Sequence, residues 1–350
     1  IAPSLFLRQM NRIFNFIVFI FIGSLITFIL DCLYSTADLA VPEEQERFIY
    51  GALMTVDGTI GGVGNNIFEL LALFGIANQL ERTPIISKKA EIHIRKFHSH
   101  FINLLNGFVI SDLPEYSKNV NFPHPCCSYT DPIGIFGRFR NYTIINTKLT
   151  YAQSFKYFQN LSRIEIRERL RMSSEIEEYA SKQQVDPDFL SGGDHNICVH
   201  LRRGDFIRST IHAHATEEFA VPALILLEKR VRKKHASKNP LIVIIGDDMQ
   251  FQERLITELL PKDFKATISR ANKSYPAEVD WEFSRQFCDS VLLAASGSTF
   301  GWWLAYNSRG SNVYYNNVFS KPGGFGGSFT PEDFFPPDWI PLEYDTSTKQ

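Results

Sequence analysis

The run Leu241-Ile242-Val243-Ile244-Ile245 is apolar at every position and mostly β-branched. Such a strand presents oily side chains to both faces of its sheet, so both faces must be covered. That requirement predicts a central parallel strand between layers of helix. The surrounding pattern agrees. Ile197–Leu201 reads as a second buried strand, followed by a helix over Thr216–Lys234 with Thr216 as N-cap and Glu217 and Glu218 in the first turn. Upstream, a strand over Phe48–Val56, a Gly-rich turn over Gly58–Gly64, an apolar helix over Asn65–Leu80 and a strand opened by Pro84-Ile85-Ile86 make a βαβ unit. Downstream, helices are predicted over about Gln250–Leu260 and Trp281–Leu293. A short strand follows at Ala294–Ser296, then a turn at Gly297–Gly301, a helix from Trp302 to Ser308 and a strand at Val313–Tyr315. Residues 91–151 carry little periodicity and read as irregular. Residues 155–182 read as helical, and residues 183–194 as a linker.

With 350 residues, 44% of them hydrophobic, the chain can bury one large or two medium cores. A net charge of −2 gives no basic excess and argues against nucleic-acid binding. Ile13–Leu30 contains no charged residue and spans about 27 Å as a helix, close to a ~30 Å hydrocarbon core. Arg8 and Arg12 precede it, and Asp31 and Asp38 follow, so the positive-inside rule places the bulk of the chain in the lumen. A cleavable signal peptide is the alternative, but Asp31-Cys32-Leu33-Tyr34 is a poor cleavage site. The expected organisation is a cytosolic tail (1–12), a transmembrane signal anchor (13–30), a stem (31–47), an acceptor-side α/β domain (48–190), a second α/β domain (191–320) and a tail (321–350). Sequons at Asn141, Asn160 and Asn272 suit a luminal address. So do five cysteines, whose pairing spacing does not give; Cys198, in an apolar strand, could equally be a buried free thiol.

The chemistry-bearing stretch is His200-Leu201-Arg202-Arg203-Gly204-Asp205, at the C-terminal end of a predicted strand. Ligands bind at that end of open α/β sheets. Guanidinium groups there suit phosphate oxygens, although an Arg–Asp ion pair would also account for them. Two further polar turns, Gly61–Asn66 and Ser296–Gly301, also follow a strand and open a helix, where backbone N–H groups attract anions. Neither is a Walker loop or a clean dinucleotide fingerprint. Asp247-Asp248 could hold a metal, but Asp-x-Asp spacing is absent; His212-Ala213-His214 lacks a nearby third ligand.

Together these turns resemble the motifs of the α1,2-, α1,6- and protein O-fucosyltransferase superfamily. His200–Asp205 is similar to its His-x-Arg-Arg-x-Asp signature, and Gly61–Asn66 to its Gly-Arg-x-Gly-Asn-Gln turn. Asp289–Trp303, with Ser298-Thr299-Phe300-Gly301, resembles the third motif of the galactoside α1,2-fucosyltransferases. Gly62 and Asn66 depart from the first-motif pattern, which expects Arg and Gln. The resemblance implies a GT-B-like pair of Rossmann-type domains facing a cleft, in a Golgi type II membrane protein. It implies an inverting transfer of L-fucose from GDP-fucose to the 2-hydroxyl of a terminal galactose on a glycan, without a metal. A different linkage, a protein acceptor or a non-catalytic binding protein are the alternatives. By the same resemblance, Arg202 contacts the β-phosphate and Arg203 is structural or a secondary phosphate contact. Asn65, Ser298, Thr299 and Phe300 hold the phosphate or fucose side of the donor, and His200 with Asp247 or Asp248 reads guanine or ribose. Asp205 is either the base for the acceptor hydroxyl or the partner of Arg203, with Glu217 and Glu218 as weaker candidate bases.

Overall fold

The computed structural model describes residues 46–343 other than 59, 60, 124, 183 and 270–274. The anchor over Ile13–Leu30, most of the stem and the sequon at Asn272 lie outside these residues. No helix among the described residues is long and apolar enough to cross a membrane.

Two parallel sheets organise the chain. The first has the order β3-β2-β1-β5-β4, from β1 (Phe48–Leu53), β2 (Thr83–Ile86), β3 (Val109–Ile110), β4 (Lys118–Asn119) and β5 (Ile144–Leu149). The second has the order β11-β10-β9-β6-β7-β8. Its strands are β6 (His195–Leu201), β7 (Pro240–Gly246), β8 (Lys265–Ile268), β9 (Ser290–Leu293), β10 (Asn312–Asn316) and β11 (Ile340–Leu342). Counted from β6, that order is 3-2-1-4-5-6, the doubly wound Rossmann arrangement. The main helices are α1 (Val63–Gln79), α2 (Lys88–Phe97), α3 (Ser174–Lys182), α4 (Gly204–Arg208), α5 (Glu217–His235), α6 (Met249–Arg254), α7 (Val279–Phe287), α8 (Thr299–Asn307) and α9 (Pro331–Phe334).

Side chains alternate across the second sheet as the pleat demands. Ile197, Val199, Ile242, Ile244 and Leu292 face a core with Leu224 and Leu227 of α5. Cys198, Val243, Ile245, Val291 and Leu293 face the other way, into a core shared with the first sheet. The seam is aromatic. Phe68 of α1 lies 4.7 Å from Trp302 and 4.9 Å from Trp303, centroid to centroid. This core is continuous, and Arg47 onward forms one compact body.

Several sequence expectations need correction. The stretch 91–151 is not irregular throughout, since it supplies β5, which pairs with β1 over six residues. Its pattern, Ile-Ile-Asn-Thr-Lys-Leu, lacks the continuous apolar run that reveals β7. The helix at Trp281–Leu293 ends at Phe287, and the strand expected at Ala294–Ser296 is instead β9. The region from 321 is no tail: β11 pairs with β10, and Phe334 and Phe335 are buried in the shared core. Trp302 Nε1 donates to the Phe334 carbonyl at 2.9 Å.

Cys198 is not a free thiol. It is disulfide-bonded to Cys288, with Cα atoms 5.5 Å apart, joining β6 to the residue that leads into β9. The bridge closes a loop with a sequence separation of 90. Chain-entropy arguments give such a loop about 4–5 kcal/mol of stabilisation. Denaturant titration of a Cys198→Ala/Cys288→Ala variant should therefore show a loss of up to that size, and reductant should shift the wild type in the same direction while leaving the variant unmoved.

Candidate active site

In a doubly wound sheet the ligand crevice lies where strand order reverses. Here that point is between β6 and β9, which pair directly. The two motifs singled out in the sequence leave these strands side by side, and the start of α1 in the first half faces them.

The approach is closest at Gly64. A Cβ there would lie 2.6 Å from the carbonyl carbon of Thr299 and 2.8 Å from the Phe300 nitrogen. Only glycine lets the first turns of α1 and α8 come this near. Gly61, at φ +79°, supplies the left-handed turn that aims α1 at the cleft. Asn65 Oδ1 then accepts from Thr299 Oγ1 at 2.8 Å and from Gln153 Nε2 at 2.9 Å. Trp303 Nε1 donates to the Gly64 carbonyl at 3.1 Å. Ser298 caps α8, its hydroxyl accepting from Gly301 N at 3.3 Å. Phe300 is half-buried, its ring 5.7 Å from that of His200 and its carbonyl held by Trp281 Nε1.

The two arginines divide their work. Arg202 remains about a third exposed, its guanidinium between two carboxylates: Asp205 at 2.9 Å and Asp247 at 3.0 Å. Arg203 is structural. It pairs with Asp248 at 2.9 Å, donates to the Ala215 carbonyl and covers the Phe251 ring at 4.0 Å. Asp205 therefore pairs with Arg202, not Arg203. Asp247 accepts from the backbone N–H groups of Arg203 and Gly204, and Asp248 caps α6 through Phe251 N. Both carboxylates thus brace the arginine turn. Burial pushes the Asp248 carboxyl up, but the Phe251 N–H and Arg203 outweigh it and hold it low.

His200 is 2% exposed beneath Gly301, where a Cβ would lie 2.4 Å from Nδ1. Burial, with Arg202 adding to it, pushes its pKa down to about 3, so the ring is neutral, and its Nδ1 has no hydrogen-bond partner. His212 stacks on Phe206 at 4.4 Å. Glu217 is engaged by Arg254. Asn141 and Asn160 are both exposed, with the Asn160 amide nitrogen held by Asn78 Oδ1. Gly62 is exposed with open space around it, whereas Asn66 is 2% exposed and points inward.

Sequence reading missed Gln153, Glu69 and the cluster of His98, His100 and Glu278. Gln153 lies in a segment without pattern; Cys126 and Cys127 Sγ stand 3.8 and 3.5 Å from its Oε1. Glu69 is hidden in an apolar helix. Its two oxygens accept from Thr55 N and Tyr151 N, both at 2.8 Å, and so tie together the segments that leave β1 and β5. Burial raises its pKa to about 7 despite those hydrogen bonds.

Residues 137–343 match the glycosyl transferase family 11 model. A Caenorhabditis elegans galactoside 2-alpha-L-fucosyltransferase is 31% identical over 318 residues, covering 83% of this chain and 76% of the relative. The chain belongs to glycosyl transferase family 11. It is a glycosyltransferase. A second worm relative of the same name is 29% identical over 85% of this chain and 81% of its own length. A Mus musculus galactoside 2-alpha-L-fucosyltransferase, Sec1, is 24% identical over 81% and 73%. Among solved structures, Arabidopsis thaliana FUT1 in complex with GDP is similar at a TM-score of 0.48, with 10% identity over 78% of this chain and 70% of that one.

Two outcomes follow for this glycosyltransferase. Gly64→Ala must push backbone apart at the junction; it should cost about 1–3 kcal/mol in denaturant titrations and lower the transfer rate. Glu69 has a folded pKa of about 7 against an ordinary 4.5, so the folded state holds its proton more tightly. Its contribution is therefore fully present below pH 4.5 and lost as pH rises through 7, by up to about 3 kcal/mol. Stability measured at pH 5 and pH 8 should differ by less in Glu69→Gln than in the wild type.

Proposed function

We propose that this family 11 enzyme transfers L-fucose from GDP-fucose to the 2-hydroxyl of a galactoside on a glycan, with inversion. The observation that carries the reading is Arg202, a partly exposed cation just past the end of β6 at the switch point. Membership of a family whose relatives include galactoside 2-alpha-L-fucosyltransferases supports the donor and acceptor.

In this reading the acceptor oxygen attacks the anomeric carbon as the bond to the β-phosphate oxygen breaks, and the electron pair leaves with the diphosphate. Arg202 turns from Asp205 to the phosphate and meets the charge that develops there. Asp247, fixed by two backbone N–H groups, keeps the guanidinium in place. Thr299, Asn65 and the first turns of α1 and α8 complete an anion cage. The transfer then needs no metal at the diphosphate. Asp205, once released by Arg202, is the carboxylate placed to take the acceptor proton. Asn66, the first-motif departure that is buried, does not face the cleft and gives no reason to prefer another linkage.

We further propose a single-pass type II protein, anchored through Ile13–Leu30 with the catalytic body in the Golgi lumen. Expression in a secretory host should then give an endoglycosidase-sensitive mass shift; its absence, with Asn141, Asn160 and Asn272 intact, would count against the luminal address.

The test of the chemistry is transfer from labelled GDP-fucose to a panel of galactose-, xylose- and GlcNAc-terminated acceptors. Arg202→Ala should lower kcat by roughly 100- to 1,000-fold, the size of losing one donor to developing charge. Mg2+ or Mn2+ should not raise the rate, and EDTA present during the assay should not lower it. A folded Arg202→Ala protein that retains its rate would remove the phosphate role, and linkage analysis of the product decides the acceptor hydroxyl.

A further inference from the structure

Away from the phosphate cage, three side chains from distant parts of the chain meet where the two halves touch. His98 ends α2, His100 follows two residues later, and Glu278 is the N-cap of α7 in the other half. Their side chains are 7%, 10% and 7% exposed. Glu278 Oε1 lies 3.1 Å from His98 Nδ1 and 3.4 Å from His100 Nε2. Among the described residues it is the one His/Cys/Asp/Glu group compact enough for an ion, its three ligand atoms lying within 4.8 Å of one another.

Hydrogen-bond bookkeeping shows why those atoms face each other. Thr55 Oγ1 accepts from Asn66 Nδ2 at 3.0 Å. That turns Asn66 Oδ1 toward His98 Nε2, 3.2 Å away, and a neutral His98 that donates its Nε2–H there presents its Nδ1 lone pair to the Glu278 oxygen. His100 Nε2 is buried and makes no hydrogen bond at all.

Three electron-pair donors around one point suit a cation. Nitrogen and oxygen ligands at about 2.0–2.2 Å from a tetrahedral ion stand roughly 3.3–3.5 Å apart. The His100–Glu278 separation of 3.4 Å lies in that range and the His98–Glu278 separation of 3.1 Å falls just short of it. A ligating histidine that donates its other N–H to a fixed oxygen is the usual outer-shell arrangement, and Asn66 supplies that oxygen.

We propose that His98 Nδ1, His100 Nε2 and Glu278 Oε1 bind one divalent transition-metal ion of the zinc class, which pins the end of α2 to the start of α7. Two imidazoles and a carboxylate are a donor set suited to zinc. The ion is structural: it clamps the two halves and touches no residue of the anion cage. The proposal is independent of the fucosyl reading, because its readout is metal binding and stability.

The experiment uses the full chain in detergent, freed of metal by prolonged dialysis against dipicolinate at neutral pH and titrated with Zn2+ against a chromophoric chelator. The expected result is one ion per chain, a rise in Tm on zinc addition, and a tetrahedral visible spectrum with Co2+. His100→Ala and Glu278→Gln should weaken zinc binding by roughly 100-fold or more, while His100→Cys, which keeps a ligand, should retain it. His93→Ala, whose ring packs against His98 but lies outside the ligand set, should leave it unchanged. Two results overturn the site. One is a metal-free chain whose Tm and zinc binding do not respond to micromolar Zn2+, which would make the cluster a protonated-histidine latch. The other is zinc binding that survives in both ligand variants.

Discussion

Two helices begin at the same place in this molecule, and the rest of the site depends on how closely they begin. The first turns of α1 and α8 bring unsatisfied N–H groups and like-signed dipole ends together across the cleft. Left alone, that juxtaposition is electrostatically unfavourable. A side-chain oxygen, Asn65 Oδ1, is drawn between the two halves, and Gly64 permits the distance. The remaining positive potential is the asset: an anion placed there relieves the repulsion that the fold has built in. The aromatic seam of Phe68, Trp302 and Trp303 holds the helices against it.

The arginine turn shows how one charge is kept available by immobilising another. Arg203 is spent on Asp248, a backbone carbonyl and the face of Phe251. It thereby fixes the loop from which Arg202 projects. Arg202 pairs with two carboxylates and lies over the Phe206 ring, and one of those carboxylates, Asp205, is itself largely exposed. Asp247 bridges both jobs, accepting two backbone N–H groups while holding the Arg202 guanidinium.

Much of this was legible in the sequence where the signal is local. Continuous apolar runs revealed β6 and β7, and polar turns after strands revealed all three segments of the cleft. The roles of single residues were less legible, because they depend on what the chain brings alongside. His200 sits in the signature, yet its depth under Gly301 is a packing fact. Asp247 and Asp248 read alike in sequence, and only the fold shows that one braces Arg202 and the other Arg203. Gln153 and Glu69 had no local mark: one lies in unpatterned chain, the other in a helix apolar enough to hide a carboxylate. The Cys198–Cys288 bridge needed the adjacency of β6 and β9, which spacing does not give. β5 and β11 were missed because short or polar strands draw their stability from neighbours already in place.

The segment after Lys321 gives the chain a particular architecture of dependence. It returns from the surface to lay β11 on the sheet edge, and on the way it hands a backbone carbonyl to the indole of Trp302. That indole belongs to the helix whose first turn forms one wall of the cleft. This segment is therefore wired to the centre of the body, like the closing stone of an arch. A chain cut near residue 320 would hold every motif of the cleft and still leave Trp302, at the seam of the two halves, without its polar partner.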